Sequence, residues 1–377
     1  MELPNIIFLI VTLVLTINLI KLIPKSILDS ITTTQNFDSY LKNNFNQPGD
    51  SQNSDQPFHV IYLILSAREN FSRRKIIRET WAKEHLSQVY FLVGNYCPIH
   101  PYYRERFTCE FKKDSRFTDR INDIEKENDK FNHFQTSWKL ENEKWNQNYV
   151  NDSSLEFEPN IIFFKNMNDT YRNLPEKLKL GFKSVIDLKP TFIVKIDDDM
   201  FVRISQLNNM LKNKYNFMKL DKTNLDKKLV IGNFRSLKIG RKPGRNQELE
   251  YGTTETTHYP PFPIGSYGYV VNYNWANYVV RNSEKLKNYQ GEDVSTGIWM
   301  EQFWQEEKDN FSNKFWNKEN SSLISLSTKF FTNDADCFNR YKVIIGHRVS
   351  ESKMELCYIT QIAKESSDGK LNFDFEV

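Results

Sequence analysis

The stretch FIVKIDDDMFV, residues 192–202, decides the fold class of this 377-residue chain. Phe192, Ile193, Val194 and Ile196 are aromatic or β-branched, and a short apolar run of this kind reads as a buried strand. Three carboxylates, Asp197, Asp198 and Asp199, follow directly at its carboxyl end. Adjacent carboxylates repel by about 1 kcal/mol per pair in water, and by more where the dielectric falls, so positive charge is expected among them. In open α/β sheets ligands bind outside the carboxyl ends of the strands. Oxygen donors suit Mg²⁺ or Mn²⁺, ions that commonly join carboxylates to a substrate's phosphates. The plainer alternative is a solvated acidic turn capping the next helix.

Working outward, FHVIYLILS (58–66), VYFLVG (89–94) and NIIFFKN (160–166) read as further strands. SRRKIIRETWAKEH (72–85) and YRNLPEKLKLGFKSVID (171–187) read as the helices between them. This alternation implies an α/β fold built on a mainly parallel sheet. Ahead of it, LPNIIFLIVTLVLTINLI (3–20) runs eighteen residues without a charge, enough to cross a bilayer. Residues 1–25 are therefore expected to form a cytoplasmic tip and transmembrane anchor. Residues 26–56, rich in Ser, Thr, Asn and Gln, form a flexible stem, and 57–377 the folded domain, with a charged insertion over 98–158.

A net charge of +3, from 51 basic and 48 acidic residues, gives no reason to expect a nucleic-acid partner. Sequons at Asn70, Asn151, Asn168, Asn310 and Asn320 are no more than chance predicts for so Asn-rich a chain. Cys97, Cys109, Cys337 and Cys357 allow two disulfides in three connectivities, or free buried thiols. Their spacings match no zinc pattern.

Four further stretches bear on chemistry. Arg74 and Arg78, four apart in one helix, share a face that suits a diphosphate or a uracil ring, or an exposed ion-paired surface. In YPPFPIGSYGYVV (259–271), Gly265 and Gly268 permit close backbone approach, and Tyr259, Phe262, Tyr267 and Tyr269 offer faces to sugar rings; a rigid turn is the competing reading. In QGEDVSTGIWM (290–300), Glu292 and Asp293 precede an apolar helix, as caps or as a general base. YKVIIGH (341–347) reads as a strand ending in His347, a residue more often structural than metal-binding. The basic loop LKIGRKPGRNQ (237–247) lacks phosphate-loop spacing and reads as a mobile surface loop, the alternative being a loop that closes over a ligand.

Taken together, RRKIIRETW, FLVG, NDTYRNLPEKL, KIDDDMFV, GNFR, YPPFPIGSYGYVV and GEDVSTGIWM resemble, in order and type, the family 31 β-1,3-glycosyltransferases, over most of residues 58–350. GNFR, QELEY and LKNYQGEDVSTGIWM are most similar to the β-1,3-N-acetylgalactosaminyltransferase branch, and CFNRYKVIIGHRV to galactosyltransferases. The resemblance implies a single-pass type II membrane protein of the Golgi, or of the endoplasmic reticulum. It also implies a GT-A-type nucleotide-sugar-binding domain and an inverting transfer of galactose or N-acetylgalactosamine from a UDP-sugar to a glycan acceptor with Mn²⁺ or Mg²⁺.

By the same resemblance Asp199, Asp197 and His347 hold the metal, and Asp293 is the catalytic base. Ser66, Arg74, Arg78, Lys195, Asp197 and Asp198 hold the donor, while Tyr259, Phe262, Gly265, Tyr267, Gly268 and Glu292 face the acceptor. Three features depart from the family pattern: the long insertion, Ile196 in place of a small residue, and Lys21 and Lys25 following the anchor, which opposes type II orientation. The alternatives are a catalytically inactive lumenal glycan-binding or chaperone-like member of the same fold, and an Mg²⁺-dependent phosphohydrolase, for which no aspartyl-nucleophile spacing is present.

Overall fold

Every side chain of β1 (Val60–Leu65) is buried, as befits a strand covered on both faces. In chain order the elements that follow are helix α1 (Phe71–Glu79), β2 (Val89–Asn95), β3 (Ile161–Asn168), α2 (Leu174–Val185), β4 (Phe192–Asp197), β5 (Met200–Val202) and α3 (Ile204–Leu220). Then come β6 (Val230–Gly232), β7 (Phe234–Arg235), β8 (Phe262–Pro263), β9 (Tyr269–Asn272), α4 (Tyr273–Arg281) and α5 (Glu292–Glu307). The last are β10 (Thr328–Phe330), α6 (Asp336–Asn339), β11 (Ile345–His347) and α7 (Glu351–Ser367). The computed structural model describes residues 58–110, 140–147, 158–220, 230–307, 328–330, 336–340 and 343–367, apart from 103, 106, 142, 243, 249 and 253–255. All the elements named fall in one of the chain's two units, residues 57–152 with 160–377. The expected anchor, the stem, most of the 98–158 insertion and the sequons at 151, 310 and 320 lie outside the described residues. Among the described residues no helix is long and apolar enough to cross a membrane.

The main sheet has the order β3-β2-β1-β4-β9-β6. β1 runs parallel to β2 and β4, β2 parallel to β3, and β9 antiparallel to both its neighbours. The expected mainly parallel α/β sheet is thus present, with an antiparallel edge. From β1 the chain builds outward through β2 and β3, then returns to lay β4 on the other side of β1. The strand order reverses between β1 and β4, the kind of switch point where α/β sheets open a ligand crevice. Leu65 pairs with Asp197, so both strands deliver their carboxyl ends to that crevice together.

Period-two alternation divides β1 between two faces. Ile61, Leu63 and Leu65 join Leu178 and Phe182 of α2, Trp275 and Val279 of α4, and Trp299 and Phe303 of α5 in one core. Each such side chain contributes roughly 1.5–3 kcal/mol by burial. On the other face the Tyr62 hydroxyl donates to Asn208 of α3 at 2.8 Å. The helix expected over 72–85 ends at Glu79 and resumes as a 3-10 turn over Lys83–Gln88. Thr80 is the local cause: its hydroxyl donates to the Ile76 carbonyl at 2.6 Å and competes with the backbone ladder. Of the strand expected over 341–347, residues 341 and 342 lie outside the described ones, and Ile345–His347 is strand.

A second sheet has the order β10-β11-β5, with His347 opposite Met200 in the antiparallel β11–β5 pair. The chain therefore leaves the main sheet at Asp197, turns through Asp198 and Asp199, and enters the second sheet at Met200. The cysteines form Cys97–Cys109 and Cys337–Cys357 bridges, and the second ties α6 to α7. In the described part of the insertion, the Trp145 indole donates to the Cys97 carbonyl at 2.8 Å.

Candidate active site

Because the three acids sit at a joint between sheets, they point three ways and each meets its own cation. Lys195 and Asp197 are two apart on β4 and share a face; the Lys195 ammonium lies 2.8 Å from Asp197 Oδ1. Asp198 points the opposite way, toward the start of α1. Its Oδ2 accepts from Ser66 Oγ at 2.7 Å and from Asn70 Nδ2 at 2.8 Å, and Arg73 lies 3.2 Å from Oδ1. Asp199, in the turn, faces β11: His347 Nε2 lies 3.5 Å from its Oδ1 and the exposed Arg348 Nε 3.7 Å from its Oδ2. Burial pushes the Asp199 carboxyl up, but His347, Arg73 and Arg348 outweigh it and hold the group below the usual carboxylate range.

Lys195 reaches across the crevice. Its ammonium also lies 2.6 Å from Glu292 Oε1 and donates to the Gly265 carbonyl at 3.2 Å. An ammonium has three N–H donors, so Asp197, Glu292 and Gly265 account for all of them. Burial lowers the Lys195 pKa, yet Asp197 and Glu292 outweigh it and leave the group well above its ordinary value. Glu292 and Asp293 open α5, where carboxylates suit the positive end of the helix dipole. Asp293 accepts from the backbone N–H of Gly265 (3.2 Å, Oδ2) and of Val294 (2.8 Å, Oδ1). Burial first, and Glu292 second, raise the Asp293 carboxyl to about 6, with Lys195 opposing. A half-buried carboxylate with a raised pKa is what a general base near neutral pH requires, since the acceptor must still reach it.

Gly265 keeps this cluster together. A Cβ there would stand 2.4 Å from Glu292 Oε1 and 3.1 Å from Asp293 Cβ. Gly265→Ala is expected to cost about 1–3 kcal/mol, the usual range for overpacking, read as a lowered midpoint of thermal unfolding; an unchanged midpoint would refute the tight fit. Gly268, with φ +70°, closes on the Lys195 carbonyl instead.

The other expected site residues have different surroundings. Arg74 is fully buried and donates to the carbonyls of Ala67 at 2.5 Å and Arg68 at 3.0 Å, and to Ser66 Oγ at 3.1 Å. It thereby fixes the loop that carries Ser66. The Arg78 guanidinium sits 4.5 Å from the centre of the Phe91 ring, so the shared arginine face is committed to protein groups. Tyr259 and Phe262 are buried with Tyr289, Val294 and Ile298; Tyr267 is half-buried. Tyr269 is fully buried, its hydroxyl 3.2 Å from Thr296 Oγ1. These tyrosines read as sugar platforms from the sequence, but only Tyr267 retains exposure.

Sequence reasoning did not assign Asn70 and Arg73 to Asp198, nor the buried Lys177–Asp169 pair (2.5 Å), which donates onward to the Ser66 carbonyl at 3.1 Å. It also missed Tyr171, whose hydroxyl and Asp293 Oδ1 both come within 3.4 Å of one point, where a Cβ on Gly291 would lie.

Among the described residues no three His, Cys, Asp or Glu side chains cluster closely enough to hold a metal ion by themselves. Asp199 with His347 supplies two adjacent donors of hard and borderline character. That set fits a divalent cation that completes its shell with water and substrate phosphate oxygens.

The topology and these contacts define an α/β ligand-binding domain, acidic at the carboxyl end of its central strand β4 and faced across the crevice by a helix-borne carboxylate. Residues 132–309 match the family described as Galactosyltransferase. The chain is 40% identical over 140 residues to the UDP-GalNAc:beta-1,3-N-acetylgalactosaminyltransferase 2 of Xenopus laevis, covering 37% of this chain and 26% of that protein. It is 37% identical over 153 residues to the protein of that name in Homo sapiens, covering 40% of this chain and 28% of that one. A wider match, 24% identical over 252 residues, is to the hydroxyproline O-galactosyltransferase GALT2 of Arabidopsis thaliana, 66% of this chain and 29% of that protein. Residues 132–309 are thus similar to galactosyltransferase-family domains, and the relatives they match are named as glycosyltransferases. These matches span only about a quarter of the length of the relatives. Asp197, Asp198, Asp199, Glu292 and Asp293 lie inside the matched segment, whereas Ser66, Arg74, Arg78 and His347 lie outside it.

Proposed function

We propose that the chain is an inverting, metal-dependent β-1,3-hexosyltransferase that moves galactose or N-acetylgalactosamine from a UDP-sugar to a glycan acceptor on a glycoprotein, proteoglycan or glycolipid. The observation that carries this reading is Asp293: a half-buried carboxylate with a raised pKa, on the helix that faces the acidic end of β4. Asp293 takes the proton of an acceptor hydroxyl. The hydroxyl oxygen bonds to the sugar's anomeric carbon as the bond from that carbon to the diphosphate breaks, and the electron pair leaves with UDP. One displacement from the opposite face turns an α-linked donor into a β-linked product.

Asp199 and His347 would hold the cation, with Asp197 beside them. Bound there, Mn²⁺ or Mg²⁺ supplies charge neutralisation to the leaving diphosphate. Asp198, fixed by Ser66, Asn70 and Arg73, holds the turn that presents Asp199. Two disulfides among the described residues support an oxidising compartment, in keeping with a lumenal domain of a single-pass Golgi protein behind the 3–20 segment.

The test is UDP release by the domain from residue 57, supplied with Mn²⁺, UDP-galactose or UDP-N-acetylgalactosamine and a panel of glycan acceptors. Absence of both donor binding and transfer would leave the glycan-binding reading standing instead. Asp199→Ala is expected to reduce transfer at least a hundredfold at a Mn²⁺ concentration that saturates the parent protein, with the unfolding midpoint little changed. Equal Mn²⁺ titration curves would remove Asp199 from the metal site.

A further inference from the structure

Close to Asp293, the structure gathers positive charge. The 237–247 loop carries Lys238, Arg241, Lys242 and Arg245 and no acidic residue. Its placement is fixed at several points. Ile239 and Tyr259 exchange backbone hydrogen bonds with Thr257 and Leu237. Arg241 donates to the carbonyls of Glu248 at 3.1 Å and Tyr251 at 2.9 Å. The buried Glu248 carboxylate accepts from the backbone of Glu250, Tyr251 and Gln290, and so ties the loop to the residues just before α5. Arg172, in the 3-10 turn Tyr171–Asn173, donates to the Gly244 carbonyl at 3.4 Å.

These contacts bring the Arg245 guanidinium to 4.2 Å from the centre of the Tyr171 ring. The Tyr171 hydroxyl converges with Asp293 Oδ1 on the space above Gly291. Arg245 is exposed, and the guanidinium groups of Arg172 and Arg241 meet backbone carbonyls. Among the described residues none of the three is ion-paired with a carboxylate. Arg245 also hydrogen-bonds the Tyr171 side chain; a guanidinium has five N–H donors, and those that remain match carboxylate and phosphate oxygens.

From this geometry we infer that Tyr171 and Arg245 form an acceptor subsite for a glycan bearing an anionic group, a carboxylate or a phosphate, close to the hydroxyl that reacts. The inference rests on the transferase reading for its role in catalysis, though the binding it describes is separable from turnover. It also accounts for a difficulty at the base. An anionic acceptor approaching ionised Asp293 would be repelled, and a cation on the acceptor side offsets that repulsion. Once the acceptor's charge is seated on Arg245, its ring lies against Tyr171 and its hydroxyl meets Asp293.

The experiment compares p-nitrophenyl β-D-glucuronide with p-nitrophenyl β-D-glucoside, and mannose 6-phosphate with mannose. Each pair is measured in two ways: by equilibrium binding to the domain loaded with UDP and Mn²⁺, and by kcat/KM for transfer. The charged member of at least one pair is expected to bind and react about tenfold better or more, with a preference that falls as salt rises. The pair that responds identifies the anion. Arg245→Ala brings the ratio close to one, whereas Arg245→Lys retains part of it. Equal binding of charged and neutral members by the parent protein, or a preference that survives Arg245→Ala, overturns the subsite. Anion-selective binding that depends on Arg245 but comes with no transfer upholds the subsite and counts against the transferase reading. Transfer without charge selectivity does the reverse.

Discussion

Asp293→Asn lowers kcat by roughly 10²–10⁴-fold, the range general-base catalysis supplies, while UDP binding is unchanged. The substitution keeps the shape of the side chain but replaces a basic carboxylate with an amide that cannot take the acceptor's proton. Donor affinity persists because Asp293 faces Gly265 and Val294, not the acidic triplet. In the parent protein the carboxyl is raised to about 6, so transfer rises with pH through about 6 and levels off above 7; the variant lacks that limb. The stability effect has the opposite sign. A carboxyl whose folded pKa lies above its unfolded value of 3.8 binds its proton more tightly when folded. Asp293 therefore contributes stability below pH 3.8 that is lost as pH rises through about 6. At pH 7 the half-buried charge is a cost, and the neutral variant escapes it at the expense of one backbone hydrogen bond. Unfolding midpoints of the two proteins are thus expected to lie closer at pH 7 than at pH 5, with the variant relatively weaker at pH 5. An unchanged kcat, or loss of UDP binding with the same substitution, would contradict the role.

The sequence revealed the strands and the acids more readily than the partners of those acids, and the reason is range. Strand composition and the FIVKIDDD pattern are local, so β1, β2, β3 and β4 and the carboxylates at the end of β4 could be read within windows of a few residues. The start of α5 at Glu292 and Asp293 was legible for the same reason. By contrast, the partners of Asp198 lie more than 120 residues away, in the β1–α1 loop and the first turn of α1. Ser66, expected at the site, does reach the acid, but the expected arginine, Arg74, is fully buried against backbone carbonyls, while its neighbour Arg73 reaches the acid. A helix places adjacent residues about 100° apart, and the pattern alone did not say which faced the crevice. Tyr259 and Phe262 illustrate a second limit. Aromatic residues in a Pro- and Gly-rich turn fit a sugar platform and a small core equally well, and only packing against Tyr289, Val294 and Ile298 distinguishes them. The Tyr171–Arg245 contact joins a helix start to a loop that carried no recognised spacing, so no local signal announced it.

Lys195→Met is expected to affect both stability and turnover, because this ammonium links the two walls of the crevice. It is 1% exposed and lies between Asp197 at 2.8 Å and Glu292 at 2.6 Å, with its third proton on the Gly265 carbonyl. Its place among donor-binding residues, implied by family resemblance, meets a geometric objection: no N–H remains for a phosphate oxygen. Lys195 is better described as a positioning residue that sets the distance from the acidic triplet to the helix bearing Asp293. Methionine fills the space but leaves two carboxylates facing each other. Glu292 is buried, and removing one partner of a buried ion pair costs about 3–5 kcal/mol; for a domain of this size that is a fall of about 10 °C in the unfolding midpoint. A second substitution separates position from charge. In Lys195→Met with Glu292→Gln one carboxylate is neutral, so part of the lost stability returns and the two changes are strongly non-additive. Turnover remains low in the double variant, since β4 then loses its side-chain tie to the start of α5 and to the Gly265 carbonyl, and Asp293 is no longer held at its working distance. A kcat that recovers in step with the midpoint would mean that Lys195 serves stability alone. A raised KM for the UDP-sugar, with kcat and midpoint unaltered, would return Lys195 to direct contact with the donor.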